Sequence, residues 1–170
     1  LGASIPFQWL RLDPLQPVGD APVDHDYDPD RSIDLAQRFR GVMRTVGWNR
    51  LPASRIAADG WIRLADADDP AGVHYVFTAF TTGSRESILR IEASGPASAR
   101  VNGAVVARTP DWGGSDEAEV GFGAGTNFVL VKTLATGVAP ARVRVSIRDI
   151  DGQPLRGTAN SLERLLDQYA

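Results

Sequence analysis

The stretch from Gly72 to Asp151 alternates apolar and polar residues in short runs that Gly, Pro, Asn or Asp residues separate. The runs are VHYVFTAFTT, ILRIEAS, ARVNGAVVA, AEVGFG, NFVLVKT and ARVRVSIRD. Alternation with a period of two places every second side chain on the same face of a β-strand, and the intervening turn residues let consecutive strands pair antiparallel. The sequence therefore predicts an all-β, antiparallel sandwich or barrel.

Two turns inside this region are well defined by their residue types. Asn102-Gly103 lies between apolar residues, and this pair favours a type I′ hairpin because both residues tolerate positive φ. Asp151-Gly152 is expected to end the last strand. On that strand Arg142, Arg144 and Arg148 alternate with apolar residues, so they form a face that is either solvated or able to attract an acidic polysaccharide or a partner domain.

The segments on either side of this region have other patterns. Five prolines within residues 1–31 exclude a long helix, and a first strand is expected around Phe7 to Leu12. Apolar spacing predicts a short helix near residues 33–40, followed by a strand through Trp48. Asp59-Gly60 predicts a turn into a strand that begins near Trp61.

The last segment changes to a helical period. Leu162, Leu165, Leu166 and Tyr169 recur at i, i+3, i+4 and i+7, and Asn160 with Glu163 forms a capping box. We therefore divide the chain into a sandwich over residues 1–157 and a C-terminal helix, or linker to a following domain, over residues 158–170. A helix this short is unstable alone, so its apolar stripe must pack against something.

Composition excludes several classes of function. The net charge is −3 and no basic block is present, so a nucleic acid is not an expected partner. No run approaches the roughly 18 apolar residues of a membrane helix, so membrane insertion is not expected. The sequence has no Cys, which excludes disulfides and thiolate chemistry.

Several segments, in order, resemble modules of the galactose-binding-domain-like group found in large secreted or cell-envelope bacterial proteins. They include FQWLRLDPL, YDPDRSIDL, VGWNRLP, DGWIRL, ILRIEASGPASARVNGAVV, GAGTNFVLVKT and IRDIDGQPL. The resemblance implies an eight- or nine-stranded jelly-roll β-sandwich that serves as an accessory or carbohydrate-binding module. It also implies an extracellular, periplasmic or cell-envelope location and a neighbouring domain in the same longer chain.

Trp112 is the best candidate for a ligand platform. It lies in RTPDWGGSDE, a loop rich in Pro, Gly and Asp between two predicted strands. Sugar rings present an apolar face and a rim of hydroxyl groups, so an aromatic ring beside polar side chains suits them. Arg108, Asp111 and Asp116 could supply charge-assisted hydrogen bonds from the same loop. In the alternative, Trp112 folds back over the end of the sandwich.

Catalytic motifs are not evident in the sequence. It has no Gly-x-Ser-x-Gly elbow, and His25 and His74 do not form a helical zinc pair. A glycoside hydrolase would need two carboxylates across a cleft, and the only acidic cluster within the sandwich that could supply them contains Asp111, Asp116, Glu117 and Glu119. We therefore expect no catalytic residue.

The acidic residues also do not match a known metal motif. Asp24, Asp26, Asp28 and Asp30 imitate the start of a calcium loop. Pro29 stands where that loop requires Gly and Leu35 replaces its closing Glu, so an EF-hand is excluded. The turn around Asp66, Asp68 and Asp69 is expected to be solvated, with a structural calcium ion as the alternative. No cofactor is expected.

These patterns leave two main functional hypotheses. In the first, the chain is a non-catalytic module that binds carbohydrate or another envelope ligand through loops at one end of the sandwich. In the second, it is a structural or interaction domain that packs against a neighbouring domain through the C-terminal helix. An exposed Trp112 beside a groove favours the first hypothesis, whereas a covered Trp112 and a bare leucine stripe favour the second.

Overall fold

The computed structural model describes residues 7–83 and 85–169, except for the side chains of Arg85, Leu162 and Leu166. The strands are β1 (Leu10–Leu15), β2 (Arg38–Arg40), β3 (Thr45–Arg50), β4 (Ile62–Ala65), β5 (Gly72–Thr82), β6 (Arg85–Ala93), β7 (Ala97–Val101), β8 (Ala104–Thr109), β9 (Gly114–Phe122), β10 (Gly125–Ala135), β11 (Ala141–Asp149) and β12 (Thr158–Ala159). Two short α-helices, α1 (Asp28–Arg31) and α2 (Leu162–Tyr169), and 3₁₀ turns at Pro22–Asp24 and Ala53–Arg55 complete the described elements.

The strands form two antiparallel sheets. The larger has the order β2-β3-β1-β5-β10-β7-β8, and β12 pairs with β5 as well. The smaller has the order β4-β11-β6-β9. The prediction of an all-β, antiparallel β-sandwich with a short C-terminal helix is confirmed, and each of the six alternating runs supplies the strands expected of it.

The Asn-Gly hairpin joins β7 to β8 in the expected conformation. Asn102 has φ 49° and Gly103 has φ 93°, as a type I′ turn requires. The Asn102 side chain accepts a hydrogen bond from the Phe128 N–H at 2.9 Å, which ties the turn to β10. The last turn is also confirmed, because the Gly152 N–H donates to the Asp149 carbonyl directly after β11.

Two hydrophobic cores share the large sheet. The first lies between the sheets and contains, among others, Val76 and Phe80 of β5 and Ile91 of β6. The second covers the opposite face of the large sheet, where Tyr75 and Phe77 of β5 are buried. Alternate residues of β5 enter different cores, so this strand is apolar on both faces.

The helix predicted near residues 33–40 is wrong. Phe39 lies in β2, which pairs with β3 through a tight connection in which the Gly41 N–H donates to the Arg44 carbonyl at 2.9 Å. Leu35 and Phe39 both pack into the second core. Their spacing of four residues therefore reflects two separate contacts with the large sheet and not one face of a helix. The first strand is also displaced, since β1 begins at Leu10.

The predicted capping box is likewise wrong, because Ser161 caps α2. Its Oγ accepts a hydrogen bond from the Arg164 N–H at 3.2 Å. Asn160 instead turns into the protein, where its own N–H donates to the Ala79 carbonyl at 3.0 Å. The cap shifts by one residue because Asn160 completes the pairing beside β5.

The C-terminal segment packs on the sandwich. Thr158 and Ala159 pair with Thr81 and Phe80 of β5, and Leu165 is only 1% exposed within the second core. The Tyr169 ring contacts Phe77 with a centroid separation of 5.4 Å. The side chains of Leu162 and Leu166, the other members of the predicted stripe, lie outside the described residues.

In the part of the chain that the structure describes, no helix has the length and apolar character needed to cross a bilayer.

Candidate functional site

A tight turn at one end of the sandwich displays the predicted platform. The Gly113 N–H donates to the Pro110 carbonyl at 2.9 Å, which leaves Asp111 and Trp112 at the tip between β8 and β9. Gly113 has φ 88°, and a Cβ there would lie 2.8 Å from the Ala93 carbonyl oxygen. Glycine is therefore required here because the turn abuts the end of β6 in a left-handed conformation.

Trp112 projects away from the protein. The residue is 84% exposed, so its ring does not fold back over the end of the sandwich. An exposed Trp ring at a loop tip loses little conformational freedom on binding and offers an apolar surface with one N–H donor. This arrangement is the one that the carbohydrate hypothesis requires.

A shallow cleft of about 220 Å³ lies beside this tip. Asp20, Asp24, Arg108 and Asp111 supply its charged side chains, and Pro22 and Leu134 supply apolar surface. Asp111 joins the two features, because it lines the cleft and directly precedes Trp112. Carboxylates and a guanidinium group in one cleft can accept and donate hydrogen bonds to neighbouring hydroxyl groups.

The structure separates the four predicted site residues into two groups. Arg108 and Asp111 line the cleft with Trp112 beside it, whereas Asp116 lies in β9. The Asp116 Oδ2 accepts a hydrogen bond from the Arg108 backbone N–H at 2.9 Å, which links strands of different sheets. Asp116 therefore positions the strand that carries Arg108, and one of its carboxylate oxygens is already engaged.

Arg108 itself is held by an ion pair with Asp24. Asp24 belongs to the 3₁₀ turn that forms the opposite wall of the cleft. Both side chains are more than half exposed, so the pair is weak and its groups can exchange partners with a ligand.

Sequence reasoning missed how the acidic segment is attached to the sheet. Four aspartates between residues 24 and 30 each form an ion pair. The pairs are Asp24 with Arg108, Asp26 with Arg100, Asp28 with Arg31, and Asp30 with Lys132. Three of these four cations lie on β7, β8 and β10. The spacing of the aspartates in the sequence did not indicate these pairs, because the segment folds as a 3₁₀ turn and a short helix and its partners on the sheet are distant in the chain.

The most buried of these pairs forms a network. Lys132 Nζ lies 2.8 Å from Asp30 Oδ2, and the Tyr75 hydroxyl donates to the same oxygen at 2.7 Å. The Tyr27 N–H also donates to it at 2.9 Å. Burial, with Asp30 nearby, raises the pKa of the Tyr75 hydroxyl well above its usual range, so the group remains a donor. The network anchors the segment that supplies one wall of the cleft.

The acidic cluster considered for hydrolysis does not gather at one cleft. Asp116 and Glu117 are adjacent in β9, so their side chains point to opposite faces of the strand. Glu117 lies 4.0 Å from Arg90 and 3.9 Å from Arg148, on the outer face of the small sheet.

The acidic turn considered for calcium is closed by its own hydrogen bond. The Asp66 N–H donates to Asp69 Oδ2 at 2.8 Å. Among residues 7–83 and 85–169, no three acidic or imidazole side chains come together as a ligand set for a metal ion.

The arginine face of β11 is partly occupied by an aromatic ring. The guanidinium carbons of Arg142 and Arg144 lie 4.9 and 5.0 Å from the Trp61 ring centroid. Arg144 also forms an ion pair with Glu92. Trp61 therefore acts as a cation–π partner at this surface, a contact that no local sequence pattern indicated.

Comparison with known proteins identifies similar folds only. No protein-family model matches the chain, and no curated protein matches its sequence. A β-glucosidase from Kluyveromyces marxianus aligns with a TM-score of 0.51 and 9% identity, over 84% of this chain and 16% of the enzyme chain. At that identity the likeness concerns the fold alone, and this chain spans about one sixth of the enzyme's length.

Two further solved structures align more loosely. The PA14 sugar-binding domain from an RTX adhesin has a TM-score of 0.49 and 11% identity, over 88% of this chain and 93% of that domain. The PA14 domain of an antifreeze protein has a TM-score of 0.39 and 13% identity, over 54% of this chain and 57% of that domain.

Proposed function

We propose that the chain is a non-catalytic accessory module that binds carbohydrate at the Trp112 tip and the adjoining cleft. The exposure of Trp112 carries this proposal. A tryptophan that is 84% exposed beside a cleft with charged walls has the geometry of a sugar platform. Folding alone would favour burying so large an apolar side chain, since a full burial contributes about 1.5–3 kcal/mol.

The packing of the C-terminal helix also favours the carbohydrate-binding hypothesis over the interaction-domain hypothesis. An interaction domain that docks through this helix would present an uncovered apolar stripe. The described members of the stripe are engaged within the protein, because Leu165 is buried and Tyr169 packs on Phe77 and Phe128. Trp112 at the loop end is thus exposed, whereas the described members of the helix stripe are covered.

The charges at the cleft indicate how a sugar would be oriented. Stacking on Trp112 fixes the plane of the ring and is tolerant of its identity. Asp111 and the exchangeable Asp24–Arg108 pair would then select the pattern of hydroxyl groups. The site is open, so we expect it to bind the end or side of a glycan chain and not to enclose a small molecule.

The test is a glycan-array screen of the purified protein, run with calcium and with a chelator. We expect specific binding that is independent of calcium and that weakens at least about 30-fold in Trp112→Ala, since loss of a central aromatic contact costs about 2 kcal/mol or more. Val138→Ala is the matched control, because Val138 is another apolar loop residue and is 83% exposed.

A blank array with folded protein would contradict the proposal and favour the interaction domain. In that case Trp112 would be a contact for a neighbouring domain of the same longer chain. Equal losses in Trp112→Ala and Val138→Ala would also contradict it, because the effect would then not be specific to the ring.

The proposal also includes a fold type and a cellular location. A galactose-binding-like jelly roll is the fold type that we propose for the sandwich. We further propose an extracellular, periplasmic or cell-envelope location, where polysaccharides are accessible to such a module.

A further inference from the structure

A second cleft lies near the opposite edge of the large sheet from Trp112. Its volume is about 230 Å³, and β1, the β2–β3 connection, the Ala53–Arg55 turn and the β4–β5 connection surround it. In the large sheet, β5, β10 and β7 separate β1 from β8, which carries Arg108. The second cleft is therefore distinct from the proposed sugar site.

Three buried nitrogen atoms of residues that line this cleft have no hydrogen-bond partner within the described part of the chain. They are Nε2 of His74, Nε of Arg11 and Nη1 of Arg55. His74 is only 6% exposed, and Arg11 Nε lies 3.8 Å from Asp13 Oδ1, which is too long for a hydrogen bond. Buried polar atoms without partners are rare in folded proteins, and here three belong to residues that line one small cleft.

The charges around the cleft favour an anion with a single negative charge. Arg11, Arg44 and Arg55 carry three positive charges, and Asp13 and Asp69 carry two negative ones. The pKa of the neighbouring imidazole is lowered by its burial to about 4, so it is neutral at neutral pH. The lining thus has one uncompensated positive charge.

The geometry also favours a ligand with hydroxyl groups. A neutral imidazole nitrogen can bond a hydroxyl group in either tautomer, and the carboxylates of Asp13 and Asp69 can accept hydrogen bonds from others. The volume lies below the range of roughly 300–1,000 Å³ that holds drug-sized ligands, so the cleft suits one sugar-sized group. A guanidinium fork matches a carboxylate in shape and charge.

We propose that this cleft binds a hydroxylated monocarboxylate of the size of one sugar residue, such as a hexuronate. Arg11 and Arg55 hold the carboxylate, and His74 contacts a hydroxyl group. A phosphate dianion fits less well, because its second charge would lie uncompensated beside Asp13 and Asp69.

The first experiment is calorimetric titration of the whole chain with glucuronate and galacturonate, with glucose and inorganic phosphate as comparison ligands. In Trp112→Ala, which lacks the first proposed sugar platform, we expect one uronate per chain, weaker binding of phosphate and no binding of glucose. Arg55→Gln should weaken uronate binding at least tenfold. Arg148→Gln is the matched control, because it removes an exposed arginine outside the cleft.

The second experiment follows the two histidines by NMR as the pH is changed, with and without glucuronate. A bound anion favours the imidazolium form, so it should raise the pKa of His74. Asp13 and Asp69 already raise this pKa, whereas Arg11 and Arg55 lower it. Binding should accordingly strengthen as the pH falls through the raised pKa of His74 in the complex toward about 4, the pKa of His74 in the free protein. The His25 signal is the reference, because His25 does not line this cleft.

Several outcomes would overturn the proposal. They are no uronate binding by folded protein, stronger binding of phosphate than of uronate, binding that Arg55→Gln leaves unchanged, or binding without a response from His74. The two sites can be separated, because Trp112→Ala should retain uronate binding and Arg55→Gln should retain neutral glycan binding. Failure at one site would therefore leave the other proposal standing.

Discussion

At the scale of single residues, the most consequential contact is the buried pair of Asp30 and Lys132. Lys132 is the only lysine in the sequence, and its side chain is 3% exposed. The pair attaches the segment that walls the proposed sugar cleft to the middle of the large sheet. Taking two charges out of water is costly, so this arrangement is stable only while both partners are present.

Replacement of this lysine should be strongly destabilising. We expect Lys132→Met to lower the free energy of unfolding by about 3 kcal/mol, because the buried Asp30 carboxylate loses its closest cation and keeps only Arg100, whose Nε lies 3.4 Å from Asp30 Oδ1. Urea denaturation measures the change. The double variant Asp30→Asn/Lys132→Met should recover part of the loss, since no unpaired charge remains.

The exposed pair of Asp28 and Arg31 is the control for this prediction. Its side chains are more than half exposed, so Arg31→Ala should change the free energy of unfolding by less than about 1 kcal/mol. An equal effect of Lys132→Met and Arg31→Ala would contradict the role assigned to the buried pair.

At the scale of elements, α2 is a short helix that is stabilised by packing against the rest of the protein. An isolated helix of eight residues is unstable in water, and α2 persists because Leu165 and Tyr169 enter the second core. β12 precedes it and pairs with β5, so the segment is attached by backbone and side chain together. The helical period was visible in the sequence, but the surface that it covers was not.

Truncation of the buried leucine should release this segment. We expect Leu165→Ala to lower the free energy of unfolding by about 2–5 kcal/mol, the usual cost of such a core truncation. Protease sensitivity at the C-terminal segment should increase in parallel. Arg164→Ala, an exposed neighbour in the same helix, should leave both measurements nearly unchanged. Unaltered stability in Leu165→Ala would show that α2 does not contribute to the second core.

At the scale of the whole molecule, β5 connects the two cores. It pairs with β10 over eleven residues and with β1 and β12 on its other edge. Its side chains alternate between the core inside the sandwich and the core beneath α2 and residues 35–39. Opening β5 therefore exposes both cores at once.

Amide hydrogen exchange should reflect this arrangement. We expect the amides of β5 and β10 to exchange slowest, close to the rate set by global unfolding, because both strands lie inside the sheet. Amides of β9 should exchange faster, since β9 is the edge of the smaller sheet. Exchange in β5 as fast as in β9 would indicate that the cores open independently.

The sequence by itself determined the strands and turns that depend on local chemistry. Alternation placed β5 to β11, Asn102-Gly103 specified its turn through two positive φ angles, and the composition of the Pro110–Gly113 turn placed Trp112 in a loop. These features were predictable because neighbouring residues decide them. The helix near residues 33–40 was mispredicted because Leu35 and Phe39 have a helix-like spacing, while pairing with β3 decides the conformation of β2.

Only the tertiary structure decided which distant residues meet. Asp24 and Arg108, Asp30 and Lys132, and the cleft formed by Arg11, Arg55 and His74 each join residues from separate elements. No local periodicity carries such information, because long-range contacts depend on strand order and register. The loop that carries Trp112 was therefore foreseeable, whereas the exposure of its ring, the charged walls beside it and the second cleft arise only when the sheets have assembled.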